Sequence, residues 1–173
     1  MKKSILITGA SGAGKTALSE ELKMMGYSAY DMDDLPDLFS MIDKKTGKPV
    51  VDHDNDNLEK VRGMDWICDR EKLKRIIESE KEEIAFYCGN ATNINEIIPL
   101  FDKIVLLKVN DENTRHRLTS RTKNDFAKTT EVQDWVLSWK EWWENKMEGK
   151  GAIIVDANRD LKEVTKDVIG ISL

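Results

Sequence analysis

Residues 9–16, Gly9-Ala10-Ser11-Gly12-Ala13-Gly14-Lys15-Thr16, match the pattern G-x-x-x-x-G-K-[ST]. The apolar run Ser4-Ile5-Leu6-Ile7 precedes them and a helical pattern from Thr16 to Met25 follows. Strand, glycine loop and helix in that order are the setting in which this pattern cradles phosphate. The glycines let the backbone curl so that successive N–H groups point at an anion, and the positive end of the following helix adds to the field. A chance match in a chain of this length is on the order of one in a hundred, and the flanking pattern lowers it further. In this reading Gly9, Ala10, Ser11, Gly12, Ala13, Gly14, Lys15, Thr16 and Ala17 hold the phosphates of a nucleotide, with ATP preferred over GTP. Lys15 reaches the β- and γ-phosphates and the Thr16 hydroxyl ligates Mg2+.

Outside the loop, composition sets the class. At 173 residues the chain is expected to form a single domain, residues 1–173, with a core large enough to need no disulfide or structural metal. The net charge of −5 comes from lysines and arginines scattered among acids, with no basic run for a nucleic acid. Nucleic-acid partners are therefore disfavoured. Cys68 and Cys88 form no C-x-x-C motif and have no histidine cluster beside them, which points to free buried thiols and a reducing compartment. Met1-Lys2-Lys3 leads into a strand too short for a signal peptide or a membrane span, so a cytoplasmic protein is expected, as a monomer or homodimer.

Strand-length apolar runs near 4–8, 27–31, 83–88, 103–109 and 152–156 alternate with helical patterns near 15–25, 34–42, 70–81, 93–100, 111–122, 131–147 and 160–169. Such alternation argues for βα units around a parallel α/β sheet. Gly26 ends the first helix, and Asp111 is a candidate N-cap. The polar stretch 44–64, with Gly47 and Pro49, reads as a substrate-side loop.

Two clusters supply further chemistry. Asp31, Asp33 and Asp34 end the second strand, at the sheet edge where ligands of open α/β sheets bind. In extended backbone Asp31 and Asp33 share a face, so one can serve Mg2+ while the other accepts the proton of an attacking hydroxyl, leaving Asp34 to cap a helix starting near Leu35. Arg117 and Arg121 are four apart and fall on one helical face ahead of the polar stretch 122–130. Two guanidiniums there suit a lid over residues 117–130 that closes on a transferring phosphoryl group.

Taken together, the 9–16 loop, Asp31-x-Asp33, Gly89-Asn90 after the third strand and Arg117-Leu118-x-x-Arg121 after the fourth resemble the small P-loop kinases of the shikimate, gluconate and nucleoside monophosphate kinase group. The resemblance implies a three-layer P-loop NTPase fold, with a five-stranded parallel sheet of order 2-3-1-4-5 and a short lid. It also implies that Asp31 serves Mg2+, that Asp33 serves the acceptor hydroxyl and that Arg117 and Arg121 grip ATP. Gly89 is followed by Asn90-Ala91 where shikimate kinases carry a glycine triplet, and the third strand lacks a terminal Asp of Walker B type. The expected activity is transfer of the γ-phosphoryl group of Mg-ATP to a small-molecule acceptor such as a nucleoside or nucleoside monophosphate. The alternative is a nucleotide-binding regulatory ATPase without an acceptor, and a polynucleotide-end kinase is a third, opposed by the acidic charge.

Other features have plainer readings. Trp135, Trp139, Trp142 and Trp143 recur at helical spacing with Val132, Val136 and Met147, as a core stripe does. Asp52-His53-Asp54-Asn55-Asp56 is not an EF-hand, since Asn57 and Gly63 stand where Gly and Glu are required. His53 and His116 are isolated surface residues, and Asn145-Lys146-Met147-Glu148 lies inside a helical pattern and ends in Glu where a guanine-reading motif needs Asp. Lys48, Arg62, Trp66 and Lys140 are candidates only for acceptor contacts.

Overall fold

A parallel sheet of five strands forms the frame of the computed structural model, which describes residues 2–173. Its strands are β1 (Lys3–Thr8), β2 (Ser28–Asp31), β5 (Ile84–Cys88), β6 (Lys103–Lys108) and β7 (Ile153–Asp156), in the spatial order β2-β5-β1-β6-β7. Numbered among themselves these strands read 2-3-1-4-5, the expected order. The central strand pairs on both sides, with Ile5 opposite Phe86 and Lys103. Residues 4–8 are buried without interruption because helices cover both faces of the sheet.

Alternate residues of the same strands feed two cores. Ile5, Ile7, Phe86, Val105 and Leu107 pack with Leu18 and Leu22 of α1 (Lys15–Met24) and with Val164 and Val168 of α7 (Leu161–Ser172). Leu6, Tyr87 and Leu106 pack on the other side with Leu73 of α3 (Arg70–Ser79) and with Trp143 and Met147 of α6 (Thr130–Gly149). These are the three layers. Gly26 ends the first helix as expected, its φ of 89° letting Tyr27 N–H return to the Leu22 carbonyl at 3.0 Å.

The tryptophan stripe lies on α6. Trp135, Trp139 and Trp143 stand one turn apart, with ring centroids 5.8 and 6.5 Å apart in edge-to-face contacts. Trp142 departs from the stripe, 65 % exposed beneath the Lys146 ammonium. Replacing the buried Trp143 by Ala is expected to destabilise the protein by about 3–5 kcal/mol, through lost burial and the cavity left behind. A matching fall in the urea midpoint with an unchanged slope checks this.

The second helical expectation fails. Residues 34–42 form no helix: a 3-10 turn over Met32–Asp34 is followed by the strand β3 (Phe39–Asp43). That strand pairs antiparallel with β4 (Met64–Cys68), so the pair forms a separate two-stranded sheet beside the main one. The spacing of Leu35, Leu38, Phe39 and Ile42 imitates a helical stripe, but Pro36 and the left-handed Asp37, at φ 53°, turn the chain instead. Asp34 therefore caps no helix, and the Asp31 side chain accepts from Asp33 N–H to cap the 3-10 turn. The 44–64 stretch is also less irregular than its composition implies, since it holds the short helix α2 (Leu58–Arg62), capped by Asn57.

Between β5 and β6 the chain makes the short helix α4 (Ile94–Ile97), and β6 leads to α5 (Asp111–Ser120). Asn110, not Asp111, caps α5, its side-chain oxygen accepting from Asn113 N–H at 2.8 Å. A third apolar cluster joins the outlying pieces: Val61 of α2, Leu118 of α5, Ala127, and Val132 and Val136 of α6.

Candidate active site

The 9–16 loop runs from the end of β1 into α1 and leaves helix N–H groups unengaged. Gly14 sits at the N-cap of α1 with φ 98° and provides no side-chain cap, whereas Asp69, Asn110, Thr129 and Asp160 cap α3, α5, α6 and α7. The first-turn amides of α1 are thus available to an anion. Gly9 is required for a different reason. A Cβ there would lie 2.7 Å from Ala13 Cβ and 2.9 Å from the Leu107 carbonyl oxygen, so only glycine lets the loop pass β6.

Lys15 turns its ammonium back over this loop, donating to the Gly9 carbonyl at 2.8 Å and the Ala10 carbonyl at 3.1 Å. The residue is partly exposed, but burial of the ammonium lowers its pKa, with Asp33 and Asp31 opposing and Arg121 reinforcing the shift. The Thr16 hydroxyl donates to Asp31 Oδ2 at 2.6 Å. Asp31 is buried at the end of β2, level with Cys88 of β5. The loop and the end of β2 are thereby joined directly. Thr16 and Asp31 offer two hard oxygen donors together at a helix N-terminus, a donor set that suits Mg2+.

Asp33 follows on the 3-10 turn. Its carboxylate Oδ1 accepts from the Trp66 indole N–H at 3.1 Å. Although the residue stands exposed at the surface, the protein around its base raises the carboxyl pKa by desolvation, against the lowering effects of the Trp66 N–H and Lys15. Trp66 belongs to the strand β4, although its sequence neighbourhood reads as the edge of an irregular polar stretch. The signal available was a lone tryptophan in a polar stretch.

The two arginines are placed differently from expectation. α5 ends at Ser120, so Arg121 is extended backbone just beyond the helix and does not share a helical face with Arg117. At the helix end Lys128 returns its ammonium to the carbonyls of Leu118, Thr119 and Arg121, satisfying groups that the helix leaves open. Arg117 reaches the Ala157 carbonyl at 2.7 Å and the Ala13 carbonyl at 3.3 Å, bracing the glycine loop from below. Arg121 donates to the Phe126 carbonyl, and burial lowers the pKa of both guanidiniums. Both still line one cleft of about 530 Å3 with the glycine loop, Lys15, Thr16 and Asp33, which continues past Lys123 and Arg159 to Leu161 and Val164. Segment 121–129 is tied to α1 by Lys123 to Glu20, both of which line the cleft, and to the 44–64 stretch by Asn55, whose side-chain amide donates to Asp125 at 2.7 Å.

Arg62 and Lys140, candidates for acceptor contacts, lie elsewhere. Arg62 lines a separate surface cleft with Glu59 and Glu131, and Lys140 is buried between Asp111 and Glu144 at 3.4 and 3.3 Å. His53 and His116 are exposed, and among the described residues no group of three or more His, Cys, Asp or Glu side chains is arranged to hold a metal. No helix among the described residues is long and apolar enough to cross a membrane.

Solved structures share this architecture over nearly the whole chain. The deoxyadenosine kinase of M. mycoides, with bound dATP, superposes with a TM-score of 0.58 at 16% identity, covering 97% of this chain and 98% of that one. The shikimate kinase of Acinetobacter baumannii, in complex with shikimate, gives 0.61 at 16% identity over 99% and 93%. At such identities the likeness establishes a kinase-like P-loop fold. No curated protein sequence matches this chain significantly. The model of the AAA domain family matches residues 5–138, well over half of the chain, and the protein therefore belongs to that family.

Proposed function

We propose that the protein is an ATP-dependent small-molecule kinase that transfers the γ-phosphoryl group of Mg-ATP to a hydroxyl of a small metabolite, of which a nucleoside is the leading class. One observation carries this reading: the two carboxylates at the end of β2 are engaged differently. Asp31 is turned to Thr16, on the nucleotide side, and Asp33 is turned away to Trp66, on the side of the β3–β4 sheet. A nucleotide switch needs the first arrangement and has no use for the second, whereas phosphoryl transfer needs a group that receives the acceptor proton.

In this mechanism the amides of the glycine loop and Lys15 hold the β- and γ-phosphates. Thr16 and Asp31 would hold Mg2+, which when bound neutralises phosphate charge. Asp33 orients the acceptor hydroxyl. As the acceptor oxygen bonds to the γ-phosphorus, the bond to the β,γ-bridging oxygen breaks, ADP leaves with its electron pair and the acceptor proton passes to the Asp33 carboxylate. Arg121, which lines the cleft, faces the charge that spreads over the transferring group, while Arg117 keeps the loop in shape. Residues 117–130 act as the lid and 44–64 as part of the acceptor side of one domain.

ADP release from Mg-ATP, measured against a panel of nucleosides, nucleoside monophosphates, sugar acids and shikimate, tests the reading. Stimulation by one class is expected. Slow release that no member of the panel alters would instead favour a regulatory ATPase.

A further inference from the structure

The contact between Trp66 and Asp33 joins residues 33 positions apart and is the only hydrogen bond that fixes the Asp33 carboxylate among the described residues. Lys15, Asp31, Asp34 and Arg121 surround that carboxylate as charges, and Cys68 lies near it, but none of them sets its rotation by a hydrogen bond. Trp66 is itself held through both its backbone and its ring. Its backbone N–H donates to Thr92 Oγ1 at 2.9 Å, and the Thr92 backbone N–H returns to the Trp66 carbonyl at 2.8 Å. Its ring stacks on Phe39 of β3, with centroids 4.9 Å apart and planes 2° from parallel. Two residues further along β4, the Asn93 side chain brackets Cys68, accepting from its N–H at 2.9 Å and donating to its carbonyl at 3.0 Å. The loop after β5 therefore locks β4 in register, and β4 presents the indole N–H at one fixed place.

We propose that Trp66 is a positioning residue for phosphoryl transfer: by taking one oxygen of Asp33 it points the other at the acceptor hydroxyl. The proposal rests on the kinase reading above. An exposed aspartate otherwise samples several rotamers, and a base held in one of them needs no reorganisation as the acceptor attacks. The β3–β4 sheet and the loop after β5 are thus part of the machinery that sets Asp33, beyond whatever acceptor contacts they make.

Trp66→Phe keeps an aromatic ring for Phe39 and removes the N–H. It is expected to lower kcat for the acceptor reaction by a factor on the order of 10–100, with KM for ATP and the melting temperature nearly unchanged. In an Asp33→Ala background the same change should cost less than twofold, because the group it positions is gone. A packing role alone would cost the same factor in both backgrounds, and that result overturns the proposal. A second readout needs no turnover. The Trp66 indole N–H resonance, assigned by its loss in Trp66→Phe, should shift in Asp33→Ala, and an unmoved resonance would also overturn the proposal. Should Trp66→Phe fail to fold, Thr92→Val, which removes the acceptor of the Trp66 backbone N–H and so loosens the strand that carries the indole, must lower kcat without changing KM for ATP, and an unchanged kcat there rejects the idea. Absence of acceptor-dependent turnover in the unmodified protein would instead reject the kinase reading, and this proposal with it.

Discussion

Lys15→Ala is expected to lower acceptor-dependent turnover by a factor on the order of 10³ or to abolish it, because it removes a fixed cation from the phosphates. The fold should be untouched. Among the described residues the Lys15 ammonium bonds only to the Gly9 and Ala10 carbonyls. Unfolding free energy should therefore stay within about 0.5 kcal/mol of the unmodified protein, as for substitutions away from packed features. Parallel turnover and denaturation measurements separate the two effects. Comparable turnover in the variant would sink the assignment of this loop.

Arg121→Ala should lower kcat by a factor on the order of a hundred or more, the usual cost of a lost donor to transition-state charge. Its guanidinium is tied to the Phe126 carbonyl, and its buried Nε has no hydrogen-bond partner among the described residues. The same side chain therefore both shapes segment 121–129 and presents donors to the cleft. Arg121→Lys keeps the charge but loses the planar fork, so only partial recovery is expected. Steady-state kinetics decide between the roles. A fall in kcat with KM for ATP steady marks an interaction made in the transition state, and a rise in KM alone would reduce Arg121 to an ordinary binding contact.

The architecture was legible where local pattern and burial agree. Residues 83–88 and 103–109 read as strands because their apolar runs are continuous, and that continuity reflects helices on both faces. The glycine loop was legible because its spacing is a backbone requirement, visible at Gly9 as the want of room beside Ala13 and Leu107. Residues 34–42 misled because strand β3 owes its existence to β4, which starts more than twenty residues later, and no local period reports such a partner. The four-residue spacing of Arg117 and Arg121 misleads because α5 ends at Ser120, where the distant Lys128 reaches back ten residues to the Leu118 carbonyl. Trp66 shows the same limit: its meaning lies in Thr92, Phe39 and Asp33, each distant in the chain.

The bare start of α1 carries a thermodynamic consequence. A helix that begins on glycine, as α1 does on Gly14, is less stable by roughly a few tenths of a kcal/mol than one with a well-placed Ser, Thr, Asp or Asn. Here the deficit falls where an anion can make it good, so part of the folding free energy is supplied from solution. By mass action, a ligand at a hundred times its dissociation constant adds about 2.7 kcal/mol to the folded state. The melting temperature of this protein is then a joint property of the chain and of the nucleotide around it, and the same missing side chain leaves the native state answerable to its ligand.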